Sequence, residues 1–219
     1  MTISTPKTDA LALPEAIKRI VALNEGLRGF WSGAQNWAPI EAADLLTKSR
    51  LDRQVSLSNL LYRWVEPPSE AEKDAVQIIA YANLGSLVEG TLKLFLSVFY
   101  ETYKIDSDAI VKFGKLQNPD VATLDPLRQY FKKKIWNTED PADAWDAWIL
   151  KILQRRNSIH AFKHRDIGTF EELHDDIRAY LKLLRRINNQ LPYPDDRYTP
   201  IETETPYGEL ESEVASSAG

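Results

Sequence analysis

Apolar residues cover nearly every side of a helix between Leu84 and Phe99. Apolar positions three and four residues apart indicate an α-helix, and a helix that is apolar all round must be enclosed by others. Ser69, followed three residues later by Glu72, has the pattern of a capping box and predicts where this helix begins. The sequence therefore predicts a long central helix, from Ser69 to about Tyr103, surrounded by other helices.

Glycines and polar residues within this helix indicate what lies around it. Gly85 and Gly90 lower its helix propensity, so we expect a neighbouring backbone to approach closely at these positions. Polar residues also cross its apolar part, which is atypical of a helix that faces lipid, and we expect no membrane partner. These polar residues are Gln77, Asn83, Glu89 and Lys93.

The rest of the chain has the same helical pattern. Only 9 of the 219 residues are glycine, and neither Asn-Gly nor Asp-Gly occurs, so the turns of β-hairpins are not indicated. We predict an all-α fold. Further helices are expected from Pro14 to about Leu27, over 41–65 as one bent or two short helices, in part of 110–135, from Pro141 (with Asp140 as N-cap) to about Phe162, and, after a loop at 163–168, from Thr169 to about Leu191.

The predicted organisation has three parts. Residues 1–68 should form an N-terminal helical extension, packed on a helical bundle that residues 69–194 make. From Asp195 onward the chain is acidic, contains Pro, Ser and Thr, and has few apolar residues. Such a composition buries too little apolar surface to offset the entropy of ordering, so we expect residues 195–219 to be a disordered tail.

The net charge of -5 at pH 7 comes from this tail. Residues 195–219 hold seven acidic residues and one arginine, whereas the first 194 residues hold 26 Lys and Arg against 25 Asp and Glu. Between residues 150 and 190 there are nine basic and five acidic residues, together with all three histidines. A neutral body with a basic, histidine-bearing end permits a nucleic-acid partner.

Several chemistries are excluded by residue types and motifs that the sequence lacks. Without cysteine there can be no disulfide, iron–sulfur cluster, Cys-ligated zinc or thiol nucleophile, and we expect a reducing, cytoplasmic location. The N-terminal segment lacks the features of a secretory signal. Since no Walker, dinucleotide-binding, Ser-His-Asp or kinase motif occurs, we expect no cofactor.

The helix expected from Pro141 changes character towards its end. Its inward stripe of tryptophan and isoleucine continues, at steps of three and four residues, to Arg156, Ile159 and His160. Arg156 and His160 should lie about 40° apart around the helix axis, with Arg155 nearer the edge of the stripe. Burial of charge is costly unless the charge is paired, so these polar residues indicate either a site or a structural pair.

The run 155–160 (RRNSIH) resembles the R-x4-6-H motif of the HEPN superfamily, whose name stands for higher eukaryotes and prokaryotes nucleotide-binding. The resemblance covers about residues 69–195. It implies a HEPN-like helical bundle, with the motif on one of the last helices and two protomers paired so that their motifs meet. Arg155 fits the spacing to His160, and Arg156 supplies the Arg-Asn dipeptide common in the family, so both remain candidates for the motif arginine.

The resemblance implies a metal-independent endoribonuclease that acts as the toxin of a toxin–antitoxin system or as an anti-phage defence effector. RNA cleavage without a metal needs a base for the 2′-hydroxyl proton, an acid for the leaving oxygen and a cation near the phosphorane. His160 can take either proton-transfer role, and Arg155 or Arg156 can supply the cation. A symmetric homodimer would bring two histidines together. Asn157 could orient the substrate or the arginine, and His164 could be an auxiliary group.

Other interpretations of these residues remain open. Arg156 and His160 could form a structural pair bonded to Glu89, and Glu89 could itself belong to the site. His160 and His164 have the i, i+4 spacing of a metal pair, but Asp166 is the one close third ligand, and we expect no metal. The lysines at 132–134 could be a solvated face or could contact an RNA backbone.

A non-catalytic role is the alternative function. The chain would then be a HEPN-like module that binds a nucleotide or a regulatory protein such as an antitoxin. In the HEPN subgroup that pairs with small nucleotidyltransferase antitoxins, a tyrosine two residues after the motif histidine accepts AMP. This chain has Phe162 there, which lacks a hydroxyl, so we do not expect that control.

Overall fold

The computed structural model describes residues 11–137, 140, 143–160 and 164–202. Within these residues the chain forms eight α-helices and one short β-hairpin, which confirms the all-α prediction. The helices are α1 (Leu13–Trp31), α2 (Ile40–Lys48), α3 (Leu51–Leu60), α4 (Lys73–Val98), α5 (Tyr100–Ile105), α6 (Leu124–Lys134), α7 (Trp145–Arg156) and α8 (Phe170–Asn188). Strands β1 (Val111–Lys112) and β2 (Lys115–Leu116) pair antiparallel.

One hydrophobic core holds the helices together, with α4 at its centre. Helices α2, α3, α6, α7 and α8 all contact α4, and its Leu84, Leu87 and Leu92 are fully buried. Ile17 of α1 and Leu184 of α8 belong to the same core. The helices of residues 13–60 therefore complete the core of the bundle instead of forming a core of their own.

The central helix is shorter than the sequence pattern predicts. It begins at Lys73 with Glu72 as its N-cap, and the hydroxyl of Ser69 instead donates to the Glu72 carboxylate at 2.6 Å. It ends at Val98, because Phe99 leaves the helical conformation before α5 begins. Ser69 thus lies in the turn before the helix and is not its N-cap, and the Glu72 side chain forms no capping hydrogen bond.

The close approach at the two α4 glycines is made by side chains, not by the backbone that we expected. A Cβ at Gly85 would lie 2.6 Å from Cδ of Arg156 on α7, and one at Gly90 would meet the amide of Gln54 on α3. Both glycines leave room for long polar side chains that reach into the bundle.

Other elements differ from the prediction in extent. Residues 41–65 contain two short helices, α2 and α3, followed by a 3-10 turn at Leu61–Trp64. The helix expected within 110–135 is confined to α6, and the β-hairpin precedes it. Helix α7 begins at Trp145; Pro141 and Phe162, its predicted ends, lie outside the described residues.

The last helix begins as predicted. The Thr169 hydroxyl accepts from the Glu172 N–H, and the Glu172 carboxylate accepts from the Thr169 N–H, which completes a capping box.

The prediction that residues 195–219 are disordered is wrong for residues 195–202, which pack against α1 and α8. The carboxylate of Glu202 binds Arg185 at 2.7 Å and Arg19 at 3.2 Å. The carbonyl of Pro200 accepts from the buried Asn188 amide at 3.1 Å, and the Pro200 ring packs on Gly26. Residues 203–219 lie outside the described part.

Among the described residues, no helix has the length and apolar character needed to span a bilayer.

Candidate functional site

The motif histidine does not continue the buried stripe of α7. The α-helix ends at Arg156, and residues 157–160 form a 3-10 turn. A 3-10 helix has about three residues per turn, so His160 is rotated by about 120° from Arg156 instead of the expected 40°. His160 is exposed, and Ile159 is 52% exposed. The prediction that the inward stripe extends to His160 is therefore wrong.

Arg155 is the buried arginine of the motif, with a side chain that is 4% exposed. Its Nη1 donates to the Tyr81 hydroxyl at 2.6 Å and to Asp176 at 3.4 Å. Its Nη2 donates to Glu172 at 2.9 Å and to Asp166 at 3.4 Å. Four acceptors in the chain already hold this guanidinium, so Arg155 has a structural function in this arrangement.

The Asp176 carboxylate, 1% exposed, is the second half of this buried network. Its Oδ2 accepts from the Tyr81 hydroxyl at 2.9 Å and from Arg155. Its Oδ1 accepts from Trp148 Nε1 at 2.8 Å and from Lys151 Nζ at 2.6 Å. These bonds join α4, α7 and α8, and they satisfy a charge that would be costly to bury alone.

The protonation of these groups follows from their burial and neighbours. Burial and the carboxylate of Asp176 raise the pKa of Tyr81, so its hydroxyl stays protonated and can donate. Burial alone would raise the pKa of Glu172, but the Thr169 N–H and Arg155 outweigh burial and lower it. Burial would lower the pKa of Arg155, yet Tyr81 and Glu172 outweigh that effect and raise it.

The loop before α8 packs closely against the guanidinium of Arg155. Gly168 has a φ of +73°, and a Cβ there would lie 2.6 Å from Nη2 of Arg155. The Gly168 N–H donates to Asp166 at 2.9 Å, and the Gln77 amide on α4 donates to the Thr169 carbonyl at 2.6 Å. The guanidinium therefore lies directly against a backbone that only glycine adopts easily.

Arg156 lies on a different part of the surface and remains accessible, with a side chain that is 29% exposed. Its Nη1 donates to Glu89 on α4 at 2.6 Å, and Lys93 binds the other oxygen of Glu89 at 2.8 Å. Burial would raise the pKa of Glu89, but Lys93 and Arg156 together lower it. The sequence left open that Arg156 and His160 form a structural pair bonded to Glu89; the bond from Arg156 to Glu89 is present, whereas His160 is exposed.

The other predicted site residues follow α7 in the chain. Asn157 is half-buried, whereas His160 and His164 are exposed. Among the residues described, no three His, Asp or Glu side chains cluster in a way that could hold a metal ion. His174, on α8, is not part of this site, because its Nε2 bonds the Trp64 carbonyl at 2.9 Å.

The lysines at 132–134 are all ion-paired. Lys132 binds Asp146 at 2.8 Å, Lys133 binds Asp108 at 3.1 Å, and Lys134 binds Asp106 at 2.9 Å. These pairs favour the interpretation of a solvated face over that of an RNA contact.

Sequence reasoning missed Asp176 and Tyr81 as the partners of Arg155. The signal for Asp176 was its position three residues after Leu173 and four before Tyr180, on the apolar stripe of α8. Tyr81 gave no such signal, because aromatic residues are common in a central helix.

The arrangement separates the two motif arginines chemically. Arg155 is buried and both of its terminal nitrogens are bonded within the chain, whereas Arg156, Asn157 and His160 lie at the end of the helix, where a ligand can reach them. No protein-family model, curated protein or solved structure matches this chain.

Proposed function

We propose that the protein is a metal-independent endoribonuclease whose reactive groups are His160 and Arg156. The observation that carries the proposal is the placement of an exposed histidine four residues after a partly exposed arginine, at the end of one helix. Histidine can transfer a proton near neutral pH, and the planar guanidinium of arginine matches the geometry of a phosphate. Asn157, between them, can position either group.

In this proposal Arg155 is a positioning residue. It fixes the end of α7 against α4, α8 and the loop before α8, which sets where Arg156 and His160 lie. Glu89 holds Arg156 until a phosphate competes for the guanidinium. His164, exposed four residues after His160, is proposed as an auxiliary group.

Cleavage by attack of the 2′-hydroxyl needs one proton acceptor and one proton donor. A single chain offers one His160, so we propose that two chains pair with the ends of their α7 helices together. Each site would then take a histidine from both protomers. The proposal expects a dimer at the concentration of the activity assay, which light scattering coupled to gel filtration measures.

The direct test is cleavage of mixed single-stranded RNAs in excess EDTA by the full chain. We expect products that end in a 2′,3′-cyclic phosphate and a 5′-hydroxyl, and no cleavage of DNA of the same sequence. His160→Ala and Arg156→Ala should reduce the rate by 100-fold or more, in the range of a lost acid–base group. His174→Gln, a histidine outside the site, is the matched control and should cleave at the wild-type rate. Equal background cleavage by all four proteins would exclude the nuclease.

A non-catalytic binding module is the second candidate, and one observation favours it. Both motif arginines are ion-paired within the chain, Arg155 with Glu172 and Asp176 and Arg156 with Glu89. If the chain binds RNA or a regulatory protein without any His160-dependent cleavage, this second function is the correct one.

The wider roles that the resemblance implies, a toxin or an anti-phage effector, are tested by expression in bacterial cells. The wild-type chain should arrest growth, and His160→Ala at equal abundance should not. Arrest by both proteins would separate the toxicity from RNA cleavage.

A further inference from the structure

The β-hairpin has a fixed base. The hydroxyl of Tyr103, a residue that is 1% exposed, donates to the Gln117 carbonyl at 2.7 Å and accepts from the Ile110 N–H at 3.2 Å. The Gln117 N–H donates to the Ile110 carbonyl at 2.8 Å. Both ends of the hairpin are therefore tied to each other and to one buried side chain.

The turn of the hairpin places a large side chain in an unfavourable conformation. Lys112 and Lys115 are paired across the strands, so Phe113 and Gly114 form a two-residue turn, with φ values of +53° and +74°. Turns with positive φ at both positions favour Asn-Gly or Asp-Gly. At Phe113 the Cβ opposes this conformation, so the local backbone gives no reason for an aromatic residue there.

Packing among the residues that the structure describes gives no reason for it either. Phe113 is 93% exposed, the highest exposure among the large apolar residues that the structure describes. A Cβ added at Gly114 would have no atom within 4 Å, so the turn stands in open space. The ring contact found for Phe113 is with its neighbour Lys112, whose Nζ lies 5.7 Å from the ring centroid.

Phe113 has a lysine on either side of its turn in the chain, Lys112 and Lys115. Among the described residues, no carboxylate lies within ion-pair distance of Lys112 or Lys115, in contrast to the lysines at 132–134, which all have partners. An exposed aromatic ring in a turn that has a lysine at each end matches a single-stranded nucleic acid, in which a base can stack on the ring and the neighbouring phosphates are negative.

We propose that the hairpin turn, Lys112–Lys115, is a binding site for single-stranded RNA, in which an unpaired base stacks on Phe113 and the adjacent phosphates contact Lys112 and Lys115. The choice of RNA rests on the proposed function. The site restricts that function to substrates with unpaired bases. An anionic bilayer fits less well, because one exposed ring gives little membrane affinity.

The test measures the binding of a fluorescent single-stranded 12-nucleotide RNA by anisotropy, in the full-length His160→Ala chain, so that cleavage cannot consume the probe. Phe113→Asn is the decisive variant, because asparagine suits the turn and removes only the ring. We expect about tenfold weaker binding, in the range of one lost base stack.

Three further variants serve as controls. Phe113→Trp should bind at least as tightly as the parent. Ile201→Asn changes an apolar residue outside the hairpin that is 55% exposed, and it should have no effect. Lys112→Gln with Lys115→Gln should reduce the slope of log affinity against log salt by about 1.4.

Four results would overturn the inference: equal binding by Phe113→Asn and its parent, equal competition by duplex RNA of the same sequence, no binding of RNA at all, or ring-dependent binding to phosphatidylserine vesicles without RNA binding.

The experiments distinguish a failure of the hairpin site from a failure of the proposed nuclease. If the wild type cleaves RNA but Phe113→Asn changes neither binding nor cleavage, the hairpin site is wrong and the nuclease stands. If binding depends on Phe113 and no cleavage occurs, the nuclease is wrong and the hairpin site stands.

Discussion

Arg155 and Asp176 form a buried ion pair that the hydroxyl of Tyr81 bridges, accepting from the guanidinium at 2.6 Å and donating to the carboxylate at 2.9 Å. The two residues come from different helices, α7 and α8, and Tyr81 comes from a third, α4. The network joins the three helices at the point where the candidate site begins.

Removal of the guanidinium should destabilise the fold strongly. We expect Arg155→Met to lower the free energy of unfolding by about 3–5 kcal/mol, the usual cost of breaking a buried ion pair from one side. Urea denaturation monitored by tryptophan fluorescence measures it. Arg156→Met is the matched control, because its side chain is more exposed and has fewer partners, and it should cost about 1 kcal/mol. Equal costs for the two variants would contradict the structural role of Arg155.

Gly168 and Gly114 have nearly the same φ, so alanine substitutions at the two positions can distinguish the cost of backbone strain from the cost of a steric clash. Gly168→Ala and Gly114→Ala both place a Cβ at positive φ, which costs about 1 kcal/mol. At Gly168 the Cβ also displaces Arg155, whereas at Gly114 it meets open space. We therefore expect Gly168→Ala to cost about 2 kcal/mol more in the same urea experiment. A difference near zero would mean that Arg155 moves aside without loss.

Gly85→Ala should reduce activity through Arg156. The new Cβ would lie 2.6 Å from Cδ and 3.1 Å from Cβ of Arg156, so the whole side chain must shift and its bond to Glu89 is lost. In the cleavage assay we expect the rate to fall by about tenfold, with the helix content by circular dichroism unchanged. Wild-type activity in this variant would show that the position of Arg156 does not matter.

Acid should weaken the fold through Glu89 and Glu172. The pKa of each is lower in the folded chain than the ordinary value of 4.5, against the effect of burial, because cations or N–H groups bind the carboxylates. A group with a lowered folded pKa contributes stability above its unfolded pKa and loses it as the pH falls through the folded value. The urea concentration at which half of the protein is unfolded should therefore decrease as the pH is lowered below about 4.5.

Glu89→Gln identifies one source of this effect. It cannot titrate, so the difference in urea midpoint between pH 7 and pH 3.5 should be smaller than in the wild type. An unchanged difference would assign the acid sensitivity to other carboxylates.

The segment after α8 should contribute to stability. A chain that ends at Glu202 keeps the Pro200 carbonyl that satisfies Asn188, whereas a chain that ends at Asp195 leaves this buried amide without its acceptor. We expect the second chain to be less stable by about 2 kcal/mol, the cost of an unsatisfied buried amide. Thermal unfolding compares the two. Equal melting temperatures would mean that residues 196–202 only rest on the surface.

Local patterns account for most of the helices that the sequence predicted. The capping box of Thr169 and Glu172 was predictable, because both partners lie within one turn and depend on nothing else. The hairpin was not, since Phe113-Gly114 is a poor turn sequence in isolation, and bonds from Tyr103 hold its base in place. The tail was expected to be disordered from its composition, yet Pro200 and Glu202 find partners on α1 and α8 that a composition cannot reveal.

The sequence by itself determined the all-α class, the central helix and the candidate residues Arg155, Arg156 and His160, because spacing along a helix is local. Only the tertiary structure decided which arginine is buried and that the histidine is exposed. Arg155 is held by Tyr81, which is 74 residues away in the chain. Such long-range pairing depends on how helices meet, and the 3-10 turn that exposes His160 shifts a side chain in a way that regular helical periodicity does not predict.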